Sequence, residues 1–311
     1  MLSGVFYWLF NMSIVATLTG IVVLLLRLIK KIPRRVIAVL WVIPFIRMWV
    51  PFGIGGRYGL MTFLSKFTVK TIPVPKTVPV LEVNPRVVFT QTNMAQVAKT
   101  YDPITYKVDL VGDVFAVASV VWAVIAAGLF LTLTFLYFFT MRELKNSKHL
   151  YDNVYASNQV TSPAVYGIFR PRIILPAWMT DPPDLEYILR HERTHIRRLD
   201  NLRRVLAFAS VALHWFNPFS WIFLKCFLSD LEVACDESVL QKCSESEKKQ
   251  YALALVSGAE KRTVFISAFG GARIRTRVER ILSYRKMTAV SATAFTALIA
   301  AIAYFLLTNA S

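Results

Sequence analysis

The sequence predicts a polytopic α-helical membrane protein in which four transmembrane helices carry one sizeable α+β domain, placed between the third and the fourth. Three observations lead there. The 311-residue chain is 55% hydrophobic and only 18% charged, whereas soluble domains carry roughly a quarter charged residues; with a mean hydropathy of +0.49, this excludes a soluble globular enzyme, a disordered chain and a fibrous one. Several nearly charge-free runs approach or reach the about 20 apolar residues that a helix needs to cross a bilayer core. The formal charge of +17, from 36 basic and 19 acidic residues, gathers largely beside those runs, where it orients spans rather than marking a nucleic-acid surface.

Residues 1–54 hold the first two spans. The run 5–26 is uncharged and too long for a signal-peptide core, and its basic cluster, Arg27, Lys30, Lys31, Arg34 and Arg35, follows rather than precedes it. By the positive-inside rule that cluster stays in the cytoplasm, which puts the N-terminus outside. The second span, 36–52, contains Pro44, Pro51 and one charge, Arg47. An arginine roughly 18 Å into a helical span is a functional candidate by default; the plainer reading is a side chain that pairs inside the bundle, with Asp109 or Asp113, or snorkels outward. Residues 55–112, polar and spaced by Pro73, Pro75, Pro79 and Pro85, read as an extracellular loop of partly PPII character. The third span, 113–141, returns the chain to Arg142. Residues 142–286 form the cytoplasmic domain, and 287–311 the fourth span with a short tail, so both termini lie outside. Cys226, Cys235 and Cys243 make no disulfide framework, which fits a reduced compartment.

In the cytoplasmic domain Leu185, Ile188, Leu189, Ile196 and Leu199 recur at helical spacing after an N-cap at Thr180 or Asp181 and the pair Pro182-Pro183. That helix carries His191-Glu192-Arg193-Thr194-His195. Histidines four apart stand one turn apart on one face, so both imidazoles can reach one zinc ion while Glu192 is held beside it as general base. The bland reading is a solvated basic helix, since Arg190, Arg193, Arg197, Arg198, Arg203 and Arg204 surround the motif. Against it stands Glu232-Val233-Ala234-Cys235-Asp236 downstream. A catalytic zinc needs three protein ligands and an open position. Glu232 can supply the third, and Asp236, one turn on, can accept the other ring N–H of a ligating histidine. Cys235 and Glu237 are rival ligands, the first reading more simply as a small buried side chain and the second pointing away from Glu232 around the helix. For an oxyanion partner, His214, Arg193 and Tyr166 are all candidates.

The same pairing constrains the apolar run 205–228. A crossing there would part Glu232 from the histidines by a membrane. Asn217-Pro218 interrupts the run near its middle, so it is expected to fold as a membrane-associated helical hairpin or re-entrant pair packed against the bilayer and the spans, with His214, Trp215 and Trp221 near the interface. Residues 160–176 alternate turn residues with short β-branched and aromatic runs, the pattern of sheet-edge strands. Such an edge beside a zinc site either accepts an extended peptide as an added strand or merely covers the helix. The basic stretch 273–286 reads as a juxtamembrane anchor for anionic lipid.

In combination these residues resemble the BlaR/MecR type of integral-membrane zinc peptidase, known from β-lactam-sensing signal transducers. The resemblance is carried by His191-Glu192-x-x-His195 continued to Leu199-Asp200-Asn201, by His214-Trp215-Phe216-Asn217-Pro218 and by Glu232-x-Ala234-Cys235-Asp236. Ser162-Pro163, Gly167, Pro171 and Leu175-Pro176 precede them, and with the four spans the likeness covers essentially the whole chain. It implies a gluzincin-like cytoplasmic protease domain with Zn2+ as cofactor. It also implies signalling by limited proteolysis, of a transcriptional repressor or of the protease itself, with a self-cleavage site in 273–286 as one outcome. Transducers of this type continue into an extracellular penicillin-binding sensor with a Ser-x-x-Lys nucleophile and a Lys-Thr-Gly strand. Here Ser246-x-x-Lys249 and Ser283-x-x-Lys286 match the first pattern on the cytoplasmic side and no Lys-Thr-Gly occurs, so β-lactam binding does not follow from the resemblance.

The motifs thus predict a zinc-dependent endopeptidase of the cell membrane. The expected partners are the lipid bilayer, a protein substrate such as a cytoplasmic transcriptional repressor or the chain itself, a sensor partner at the extracellular loop, and a second copy in a homodimer. Direct nucleic-acid binding is not expected, because no such motif accompanies the arginines. Two rivals remain: a membrane metalloprotease that matures lipidated or membrane proteins, which shares both motifs, and a non-catalytic signalling scaffold whose zinc is structural.

Overall fold

The computed structural model describes residues 2–50, 54–56, 89–91, 104–106, 109–179, 185–260 and 275–310. Helix α1 (Leu2–Leu28) carries no charge before Arg27 in its last turn. Two short helices follow, α2 (Arg34–Leu40) and α3 (Val42–Trp49). The second apolar run is therefore divided at Trp41, which keeps helical φ and ψ of −60° and −21°, because Pro44 cannot donate a hydrogen bond back to Leu40. Helix α4 (Asp109–Glu143) is the longest element. By length and composition, three helices among the described residues can cross a membrane: Leu2–Leu28, Val114–Asn146 and Ala289–Leu307.

Arg47 is 1% exposed and hydrogen-bonds through Nε and Nη2 to the carbonyl of Leu306, at 3.3 and 3.0 Å. It satisfies a carbonyl that the last turn of the final helix would otherwise leave without a partner. The arginine thus pairs inside the bundle, as its plainer reading expects; the side chains of Asp109 and Asp113 lie outside the described residues. Most of the loop 55–112, the helix start at 180–184 and residues 261–274 lie outside them too. Phe89–Gln91 and Ile104–Tyr106 pair antiparallel, and Ile54–Gly56 pairs parallel with Thr308–Ala310.

After a 3-10 turn at Leu144–Asn146, four strands form a mixed sheet: β1 (Lys148–Tyr151), β2 (Val154–Ser157), β3 (Ala164–Tyr166) and β4 (Arg172–Pro176), in spatial order β1-β2-β4-β3. Only β2 and β4 are parallel. β3 is an edge strand, which suits a segment bracketed by Pro163 and Pro171. The sheet buries Val154, Ile173 and Leu175 against Leu189 of α5 (Leu185–Arg197).

Helices α6 (Asp200–Leu213) and α7 (Pro218–Leu240) follow, with the reversal at His214–Asn217. Asn217 Oδ1 accepts from the Phe219 amide at 2.9 Å, and Pro218 takes the first helical position, so α7 starts there. The two helices run antiparallel: Arg204 meets Glu232 and Arg198 meets Ser238. One apolar cluster joins α7, through Phe223, Leu224, Phe227 and Leu231, to Ala16 and Val23 of α1, to Trp41, and to Met48 of α3. Helix α1 approaches so closely that a Cβ on Gly20 would lie 2.2 Å from the Phe223 ring. Helix α8 (Glu245–Glu260), a short helix α9 over 275–282, and α10 (Ala289–Leu307) complete the chain.

Candidate metal centre

Helix α5 sets His191 and His195 one turn apart on one face, with their Nε2 atoms 3.1 Å from each other. Each ring is held from behind. His195 Nδ1 lies 2.7 Å from Asp200 Oδ2; a carboxylate only accepts, so the proton of the neutral ring sits on Nδ1 and the Nε2 lone pair faces inward. His191 Nδ1 lies 2.8 Å from the Tyr251 hydroxyl and 3.3 Å from Asp236 Oδ1. Tyr251 in turn donates to Asp236 at 2.7 Å, which leaves its oxygen to accept from His191. Asp200 reaches back to His195 because Leu199 adopts a φ of 55°, turning the chain at once from α5 into α6. A leucine in the left-handed region costs roughly 1–2 kcal/mol, strain of a kind that persists where the surroundings dictate the geometry.

Helix α7 closes the other side. Glu232 Oε2 is 3.8 Å from both Nε2 atoms. Ligands at about 2.0–2.2 Å from a tetrahedral zinc stand about 3.3–3.6 Å apart, so these three atoms need a shift of only a few tenths of an ångström to share one ion. The donor atoms of His191, His195 and Cys235 also lie within 4.8 Å of one another, so the sulfur is a geometrically available donor. Cys235 is wholly buried, whereas the Glu232 side chain is 34% exposed. Of the two rival donors, only Glu232 belongs to a side chain that water reaches in part. Glu237 lies elsewhere: its two oxygens accept from the backbone amides of Arg34 and Arg35 at 2.9 and 3.0 Å.

The electrostatics favour a cation between the rings. Burial disfavours charge on His195, but its hydrogen bonds to Asp200 and Cys235 outweigh this and push the imidazole up to about 9. Burial likewise opposes charge on His191, and Cys235, Tyr251 and Asp236 raise it well above the usual histidine range. Burial would raise the Glu232 carboxyl, yet the His191 hydrogen bond, His195 and Arg277 hold it well below the usual carboxylate range. A pair of imidazoles this ready to hold a proton, faced by carboxylates, is a donor set suited to a divalent metal.

Glu192 is 8% exposed, and among the described residues no hydrogen bond or ion pair engages its carboxylate. Tyr166 of β3 is its neighbour: burial, then the charge of Glu192, pushes the phenol's pKa up. Strand β3 is tied down here, as Asn201 Nδ2 donates to the carbonyls of Val165 and Gly167 at 3.0 and 3.1 Å. The other two oxyanion candidates are elsewhere. His214 Nε2 bonds the Met48 carbonyl at 3.0 Å within the helical bundle, and Arg193 points to Asp152 at 3.7 Å on an exposed face of α5. Sequence reasoning placed none of Asp200, Tyr251, Arg204 and Arg277 in the centre: Arg204 reads as part of a solvated basic helix and Arg277 as part of a lipid anchor, and Asp200 alone falls in a motif that carries the family resemblance, directly after the HExxH helix.

A helical, membrane-type chain whose HExxH helix faces a carboxylate helix has the build of an integral-membrane metallopeptidase. Residues 7–281 match the family described as BlaR1 peptidase M56, and the chain belongs to that family. It is 26% identical over 155 residues to the methicillin resistance mecR1 proteins of Staphylococcus aureus and Staphylococcus epidermidis, matches covering 42% of this chain and 26% of each relative. The regulatory protein BlaR1 of Bacillus licheniformis is 31% identical over 94 residues, 30% of this chain and 16% of that protein. The aligned stretch thus spans about a quarter of the mecR1 proteins' length and less of BlaR1.

Proposed function

We propose that this chain is a zinc-dependent endopeptidase of the cell membrane that cuts a cytoplasmic regulator, such as a transcriptional repressor, or itself in transmembrane signalling. The observation that carries the reading is the convergence of His191 Nε2, His195 Nε2 and Glu232 Oε2 within 3.8 Å beside a buried, unengaged Glu192. His191, His195 and Glu232 would hold the zinc, which when bound supplies Lewis acidity to a water and to the scissile carbonyl. Glu192 accepts the proton that the attacking water releases and returns it to the leaving amine. Asp200 and Asp236 keep the two imidazoles in one tautomer and orientation. Tyr166 donates to the carbonyl oxygen, and the edge strand β3 offers its backbone to an extended peptide.

The proposed topology has four crossings, with α2 and α3 together making the second and the α6–α7 hairpin re-entering from the cytoplasmic side, so that its ends stay cytoplasmic while its tip packs against Phe6 and Ser13 of α1 inside the bundle rather than at the interface. It is supported by ion pairs of α7 with the first basic loop: Arg27 reaches Asp230 at 2.9 Å and Arg35 reaches Glu237 at 3.8 Å. On this reading the metal centre and that loop share one side of the membrane. The sensor partner at the loop 55–112 and the homodimer belong to the same proposal.

The test is Glu192→Gln in the full chain reconstituted in nanodiscs, with zinc content and released peptides both measured. Zinc should stay bound while cleavage falls at least about 100-fold. An unchanged cleavage pattern with zinc in place would leave the structural-zinc scaffold as the better reading.

A further inference from the structure

By composition the stretch 273–286 suits a lipid surface, but Arg277 on α9 turns the other way. Its side chain is 17% exposed, and its guanidinium forks onto Asp236, Nε to Oδ2 at 2.7 Å and Nη2 to Oδ1 at 2.8 Å. The same planar group brings Nη2 to 3.5 Å from His191 Nε2 and Nη1 to 3.8 Å from Glu232 Oε2. One residue thus meets the third donor, one histidine and the carboxylate behind that histidine. The helix that carries it is firmly seated. Ile281, 1% exposed, packs with Val239 and Leu240 of α7 and Tyr251 of α8. Tyr284, just beyond α9, accepts from Arg35 at its hydroxyl and from Lys248 at its carbonyl.

We propose that Arg277 is a positioning residue of the metal centre: it holds Asp236 against His191 and aligns Glu232, which makes the lead-in to the last helix part of the centre itself. The inference rests on the metallopeptidase reading above. Arginine suits the task because its fork matches both oxygens of a carboxylate, while lysine offers a point charge without that geometry. With the fork gone, the buried Asp236 carboxylate keeps Tyr251 but loses its cation, and nothing then fixes the plane in which it meets His191.

The experiment measures zinc affinity by chelator competition, and the visible spectrum of the cobalt(II)-substituted protein, on the full chain in nanodiscs. The variants are R277A, R277K, D236N, the double R277A/D236N, and R275A as a control on the same helix, since Arg275 is 83% exposed and pairs with Glu279. R277A should weaken zinc binding about 10–100-fold and alter the cobalt spectrum, which a merely structural role would not move. R277K should recover part of the affinity, and R275A should match the wild type. Because the short fork onto Asp236 carries most of the effect and the contacts to Glu232 and His191 are longer, the double variant should lose little more than the worse single one. Wild-type affinity and spectrum in R277A overturn the inference, and so do losses that add fully in the double variant. Should R277A fail to fold, R277K decides, since wild-type values there overturn the proposal just as well. A wild type that binds no zinc overturns the metallopeptidase reading together with this inference; a zinc-binding wild type with an unaffected R277A overturns this inference alone.

Discussion

Helix α7 presents two pairs of carboxylates, and their surroundings differ sharply. Asp230, 1% exposed, receives Arg27 Nε at 2.9 Å and Trp41 Nε1 at 2.9 Å, with Arg34 Nη1 at 3.5 Å. Glu237 accepts the first amides of α2, where unpaired donors and the helix dipole favour a negative charge. On the other face, Asp236 is saturated by Arg277 and Tyr251, but Glu232 has only Oε1 hydrogen-bonded, to Arg204 at 2.5 Å, while Oε2 stands 3.8 Å from both histidines and from Arg277 Nη1. Residue type does not separate the scaffold face from the reactive one. The number of lone pairs already engaged does, and one rigid helix sets both.

The largest effect that tests this division is expected at Asp230→Ala. Removing the carboxylate leaves Arg27 and Arg34 without their counter-ion and Trp41 without an acceptor, a loss on the order of 3–5 kcal/mol for a broken buried pair. It is read as a fall in the melting temperature of the detergent-solubilised protein. Zinc affinity of the folded fraction should hold within about twofold; a parallel fall in affinity would show that the scaffold face also sets the centre.

Glu232→Gln should do the reverse. It gives up the part-exposed pair with Arg204 and the longer 3.8 Å contacts of Oε2 with Arg277 and the two histidines, each worth at most about 1 kcal/mol, so melting of the metal-free protein should move less than for Asp230→Ala. Zinc affinity should fall by at least about 100-fold, since one of three ligands loses its charge. Unchanged affinity would instead point to the sulfur of Cys235 as the third donor, and Cys235→Ser would then abolish binding.

How far this centre can be read from sequence follows from how local its parts are. HExxH and ExxxD are legible because each places its groups on one helical face within one turn, and Asn217-Pro218 is legible as a break because proline lacks a donor. Asp200 is harder: its reach depends on the backbone of Leu199, which sequence does not display. Tyr251 and Arg277 stand 60 and 86 residues from His191, and only the packing of α8 and α9 on α7 brings them in. Arg277 sits in a basic stretch whose composition is the same whether one arginine faces lipid or a carboxylate. Arg47 is similar, for its partner is a backbone carbonyl. Pro44 makes the division of the second apolar run legible, because it leaves the Leu40 carbonyl without its usual donor, but the burial of Trp41 against Phe223 of α7 shows only in the packing.

The smallest effect is expected at Glu237→Ala. Helix α2 begins after Pro33, which offers no side-chain cap, so Glu237 supplies from α7 the acceptors that a capping side chain would supply locally. Losing such a cap costs about 0.5–2 kcal/mol. The lower end applies here, because burial lifts the Glu237 carboxyl above its usual range against the pull of the two amides and Arg35, and removing the charge recovers that cost. Melting should therefore drop only slightly, with Glu237→Gln in between, since one amide oxygen remains to accept. The sharper readout is hydrogen exchange at the amides of Arg34 and Arg35, which should quicken by roughly fivefold for each 1 kcal/mol lost locally. Zinc affinity should not change. If it does, the seat of the first basic loop is transmitted through α7 to His191 and His195, and the two faces of the helix act as a single unit.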